Sequence, residues 1–103
     1  MLEENLMMKM LIKLDEGKIA QEGKYDINKI NEYLAKIFAK RNMKKDKDDW
    51  YINGNFTTCG SLIITLSKKD WFLDNVSEWL WYDTDDSSTE DLKAHYSKET
   101  VSA

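Results

Sequence analysis

The sequence predicts an α+β domain: a small antiparallel sheet of three or four strands with two or three helices on one face, in the order β(β)αββα(α). Three observations predict it. Residues 8–14, MKMLIKL, alternate apolar and polar side chains. Residues 27–41 repeat apolar side chains at helical spacing. The chain of 103 residues, 42% apolar and 33% charged, is long enough for one core and too apolar for a disordered segment. Residues 1–103 are therefore read as one domain, with 1–6 and 99–103 frayed. Proline is absent, which favours regular elements joined by short Gly-, Asn- and Asp-rich turns.

In the first strand Met8, Met10, Ile12 and Leu14 share one face, with Lys9, Leu11 and Lys13 on the other. Asp15–Gly17 turns the chain, and KIAQEG (18–23) is expected to return as a short second strand. Asp26 then caps a helix whose stripe is Ile27, Ile30, Leu34, Ile37, Phe38 and Arg41, ending near Asn42. Trp50–Ile52 followed by Asn53–Gly54 reads as a hairpin, and SLIITL (61–66) as a central strand covered on both faces, with a bulge at Gly60. SKKD (67–70) reads as a capping box that opens a helix over 68–82. A polar loop, DTDDSS, then leads to a short last helix capped by Ser88 or Thr89, with Leu92 and Tyr96 as an i, i+4 pair.

Several functions find no support in the residues. The chain has one cysteine, Cys59, and one histidine, His95, so neither a disulfide nor a cysteine zinc cluster can form within it. Cys59 and His95 are the sole Cys/His nucleophile–base combination, and Cys59 lies in a strand-like stretch where a buried structural thiol is expected. No catalytic residue and no enzyme activity are predicted. DTDDSSTED (83–91) lacks the glycine that a calcium loop needs at its sharp turn, and the four glycines are scattered singly; no metal site and no cofactor are expected. No apolar run approaches the roughly 20 residues that span a bilayer, and MLEENLMMKMLIKL lacks the basic start of a secretory signal. The expectation is a cytoplasmic protein with no membrane partner.

Charge carries the functional reading. The formal net charge is −4, but residues 70–91, DWFLDNVSEWLWYDTDDSSTED, hold eight acidic side chains, no Lys or Arg, and three of the four tryptophans. On a helix at about 100° per residue, Phe72, Val76 and Trp79 form a core stripe while Asp70, Asp74 and Glu78 form an acidic face. Trp81 falls inside that acidic face. A solvent face usually mixes both signs, and like charges at i, i+4 repel. A one-sign face with an embedded aromatic suits a basic protein partner: carboxylates meet Lys or Arg, and the indole stacks on a guanidinium. The expected binding residues are Asp70, Asp74 and Glu78 on the helix, Trp81 or Tyr82 as anchor, and Asp83, Asp85, Asp86, Glu90 and Asp91 on the loop beyond. The same aromatics would also suit a homodimer.

A second class of function rests on KIFAKRNMKKDK (36–47), where six basic residues precede Trp50 and Tyr51: small RNA- or single-stranded-DNA-binding, with those rings stacking on bases. The overall acidity argues against direct nucleic-acid binding. An immunity protein against a basic nuclease toxin would use the same physics as the leading reading. EGKIAQEGKYDINKI (16–30) and KKDWFLDNVSEWLWYD (68–83), within a small, acidic, Pro-free chain rich in Lys, Ile and Met, resemble the accessory proteins of phages and mobile elements of low-GC Gram-positive bacteria. In type the chain is similar to the anti-CRISPR inhibitors among them, which are often acidic, imitate DNA and occupy the basic channel of a nuclease. The resemblance implies an inhibitor of a nucleic-acid enzyme and carries over no individual residue.

Overall fold

The computed structural model describes residues 8–84 and 87–96. Asp85, Asp86 and the chain ends read as frayed lie outside them. The strands are β1 (Met8–Leu14), β2 (Lys44–Lys45), β3 (Trp50–Gly54), β4 (Val76–Asp83) and β5 (Ser88–Asp91). The helices are α1 (Glu16–Glu22), α2 (Ile27–Ala39), α3 (Phe56–Ser67), α4 (Asp70–Asn75) and α5 (Leu92–Tyr96). The strands form one antiparallel sheet in the order β2-β3-β1-β4-β5, so the fold is α+β as expected, with five strands.

The alternation read in β1 organises the molecule. Met8, Met10 and Ile12 are buried on the face that the helices cover, beside Tyr51 of β3 and Trp79 of β4. Every helix contributes to this one core: Ile19, Leu34, Leu62, Phe72 and Leu92 each come from a different helix. Phe38 of α2 stacks on Tyr51 with ring centres 3.8 Å apart. The α2 expectation also holds: the Asp26 carboxylate accepts the Asn28 N–H at 2.9 Å, and Ile30, Leu34, Ile37 and Phe38 are buried. Arg41, counted with that stripe, instead ties α2 to α3. Its Nε and Nη2 donate to Ser61 Oγ at 3.2 and 3.1 Å.

Four elements differ from expectation. Residues 18–22 belong to α1 and Gly23 is its C-cap, so 18–23 form no strand. The Asp15 carboxylate accepts the Lys18 N–H at 3.1 Å, and Gly23, at φ 67°, closes the helix by donating its N–H to Ile19 O.

Asn53–Gly54 makes no hairpin, and 61–66 is no strand. Asn55 and Thr58 form a reciprocal capping box, with bonds of 2.8 and 2.9 Å, that starts α3. Cys59, Leu62, Ile63 and Leu66 are then buried at i, i+3, i+4 and i+7, while Ile64 is 57% exposed. Gly60 lies inside this helix and marks no bulge. Gly54 matters for a different reason: a Cβ there would sit 2.7 Å from both Cys59 Sγ and Met43 Cε. Gly54→Ala should cost about 1–3 kcal/mol by overpacking, read as a lower urea midpoint.

The helix expected over 68–82 stops at Asn75. Lys69 offers no side-chain cap at its start, and from Val76 the chain pairs with β1 along its whole length, Leu14↔Val76 to Met8↔Asp83. Trp79, Trp81 and Tyr82 are strand-favouring residues, and a central neighbour of β1 gives them more burial than one further turn of helix. The last helix starts at Leu92, not Ser88. Ser88–Asp91 first pairs with β4, and the Asp91 carboxylate accepts the Ala94 N–H at 3.0 Å. Leu92 is buried and Tyr96 packs against Trp79 at 5.7 Å.

Candidate functional site

Because 76–83 is a strand, the acidic residues do not share one helical face. Asp70 and Asp74 stand on α4, beside α1, where Lys18 Nζ donates to the Asp74 carbonyl at 2.6 Å. Glu78 lies on β4 opposite Lys13. Pairing puts Trp81, Asp83, Ser88 and Glu90 on the helix side of the sheet, and Tyr82, Thr89 and Asp91 on the open side. The two candidate anchors, Trp81 and Tyr82, are therefore on opposite faces.

The β4–β5 hairpin keeps a coherent part of the predicted surface. Trp81, Asp83, Ser88, Thr89 and Glu90 line a hollow of about 200 Å³. Trp81 is half-buried; Phe56, itself 69% exposed, lies across it at 5.9 Å. The indole Nε1–H is buried beside the Cys59 thiol without a hydrogen bond of ordinary geometry, so the ring is turned edge-inward with its polar atom toward the core. What remains for the hollow is the apolar ring, with the Glu90 carboxylate on the neighbouring strand. All four residues of β5 are exposed, and β5 is an edge of the sheet.

On the open face Lys9 Nζ sits 5.0 Å from the Trp50 ring centre and 5.3 Å from that of Tyr82, so one ammonium bridges two aromatics by cation–π contact. Leu11 lies between Trp50 and Leu80 in the register and is buried. The basic segment disperses. Arg41 is held by Ser61, and Lys45 pairs with Asp49 at 3.5 Å. Tyr51, proposed above to stack on bases, is 2% exposed beneath Phe38.

Cys59 is fully buried on α3 and His95 is exposed on α5 against Tyr96. Burial pushes the Cys59 thiol up to about 11, partly opposed by Trp81 and Thr58. Burial, with a smaller push from Asp49, takes the Tyr51 phenol up to about 12. Both groups are neutral in the fold and ionise first in the unfolded chain. Stability should therefore fall as pH rises from about 9 towards 12, a decline visible in urea midpoints. Thiol reagents at neutral pH should modify Cys59 only at the rate of unfolding. Among the described residues no group of three or more His, Cys, Asp or Glu comes together that could hold a metal ion, and no helix is long and apolar enough to cross a membrane.

Comparison with protein-family models, with curated proteins and with solved structures finds no match in any of the three.

Proposed function

We propose that the protein is a non-enzymatic binding protein whose acidic β4–β5 hairpin docks on a basic surface of a partner, in the manner of an inhibitor that imitates nucleic acid on a nucleic-acid enzyme. The observation that carries this reading is the hollow of about 200 Å³ in which an indole face meets Glu90, an exposed carboxylate on the edge strand. A long cationic side chain satisfies both features at once: its charge pairs with carboxylate and its apolar stem or planar guanidinium lies on the ring. Asp85 and Asp86, between β4 and β5 in sequence, add to the same charge, and no Lys or Arg interrupts residues 70–91. Such a field draws a basic partner in and fixes its orientation more than it deepens affinity.

The reading is tested by fluorescence anisotropy with a labelled arginine-rich peptide. The peptide should bind, lose affinity steeply as salt rises through the range where the Debye length shrinks, and not be replaced by a glutamate-rich peptide. Binding that is indifferent to salt, or absent, would count against the hairpin as a docking surface. A hairpin whose acids merely guard a sheet edge against pairing with other strands would give that second result.

A further inference from the structure

A second hollow lies away from the hairpin, where the α1–α2 turn meets α4. Three aromatic rings from three separate places in the chain converge on it. Tyr25 follows the Gly23 turn, Tyr33 stands on α2, and Trp71 stands on α4. Tyr33 meets Trp71 edge-on at 5.6 Å, and Tyr25 meets it at 6.4 Å with the planes 41° apart. The space they bound is about 490 Å³, within the roughly 300–1,000 Å³ of small-molecule sites. Tyr25 is 42% exposed, so part of its ring is open to a ligand.

The charges around the hollow select the ligand. Lys24 and Lys29 line it, and Lys69 Nζ stands 5.7 Å from the Tyr33 ring centre. Asp26 is the one acidic residue of the lining and accepts the Asn28 N–H at the start of α2, so the lining holds two ammonium groups against one carboxylate. In a chain of net charge −4 this is a locally basic site. Aromatic walls alone would also take an ammonium ligand, but the surplus of lysine around these walls disfavours one. Flat π-surfaces ringed by ammonium groups complement a planar ring that carries a negative charge.

We infer that the Tyr25–Tyr33–Trp71 hollow binds a nucleotide unit, the base against the aromatic rings and the phosphate at Lys24, Lys29 and Lys69. Stacking on aromatics tolerates any base, so the site accepts a phosphate-bearing nucleoside without strong sequence preference. The unit can come as a free mononucleotide or as an unpaired base of a single strand, and both present the same chemistry. The site is separate from the hairpin and does not depend on the role proposed for it.

The test is a titration of the ¹⁵N-labelled protein with uridine monophosphate, uridine and a short oligouridine, followed by NMR. Millimolar uridine monophosphate should shift the Trp71 indole N–H and the Tyr25, Lys29 and Tyr33 amides, and uridine should shift them less. Tyr25→Ala should weaken binding by about 5- to 100-fold, with an unchanged urea midpoint checking that the fold is kept. Lys29→Glu should weaken the phosphate-bearing ligands and leave uridine unchanged. Oligouridine binding more tightly than the mononucleotide assigns the site to a strand, and equal affinity assigns it to a free nucleotide. No shift at these residues, shifts retained in Tyr25→Ala, or tetramethylammonium binding in place of the nucleotide would overturn the inference.

Discussion

Trp79→Ala lowers the unfolding free energy by about 3–5 kcal/mol, the largest loss expected from a single substitution here. The indole is fully buried on β4, and its Nε1–H donates to Met10 Sδ on β1 at 3.3 Å. Its ring meets Phe72 of α4 edge-on at 5.0 Å and Tyr96 of α5 at 5.7 Å. One side chain thus joins the sheet to two helices. Alanine leaves a cavity flanked by large rings that cannot collapse without moving those elements. Small domains have roughly 5–15 kcal/mol in total, so the variant should unfold at a much lower urea concentration. A loss under about 1 kcal/mol would mean that the core there is loosely packed.

Glu90→Lys weakens the binding of an arginine-rich peptide by about tenfold, the largest effect expected on binding. The change removes one carboxylate from the Trp81 hollow and puts a like charge against the incoming guanidinium. Glu90 is exposed and on an edge strand, so stability should change by less than about 0.5 kcal/mol. Asp91 is unsuitable for the same experiment because its carboxylate caps α5. Asp70→Lys together with Asp74→Lys makes the matched control. It changes the net charge more than Glu90→Lys does, but on α4 rather than on the hairpin. Peptide affinity should change by less than about twofold, since neither residue lines the Trp81 hollow and exposed charges are screened by salt. An equal loss in both variants would show that only net charge matters.

The parts of the fold that were legible in the sequence are those whose signal is local. The alternation of Met8 to Leu14, the Asp26 cap and the Ile30–Phe38 stripe each depend on a few neighbours, and the structure bears them out. SLIITL was misleading because a six-residue apolar run fits a strand or a buried helix equally. What decides it lies upstream, in the Asn55–Thr58 box and in Cys59, which extends the run to helical spacing. The 70–82 segment failed differently. A helical wheel over these residues sorts acids from aromatics well, yet the wheel spans a helix and a strand. The change at Asn75 is set by pairing with β1, some sixty residues earlier, and no local pattern carries that information. Asn75 itself marks the junction. It is buried, its Nδ2 donates to Trp71 O at 2.7 Å, and its carbonyl accepts the Asp15 N–H at 2.7 Å.

The same distinction applies to the candidate sites. Trp81 stood out in sequence as an aromatic among acids, and the hollow keeps it with Asp83 and Glu90 while separating it from Asp70, Asp74, Glu78 and Tyr82. The Tyr25–Tyr33–Trp71 hollow is not legible in the sequence, because its rings come together only when α4 packs near the α1–α2 turn.

The most direct measurement on the hairpin is the NMR footprint of an arginine-rich peptide on the ¹⁵N-labelled protein. Shifts are expected at the Trp81 indole and at Ser88, Thr89 and Glu90, lost in Glu90→Lys and unchanged in Asp70→Lys/Asp74→Lys. A footprint on α4, or one spread evenly over every acidic residue, would contradict docking at the hairpin.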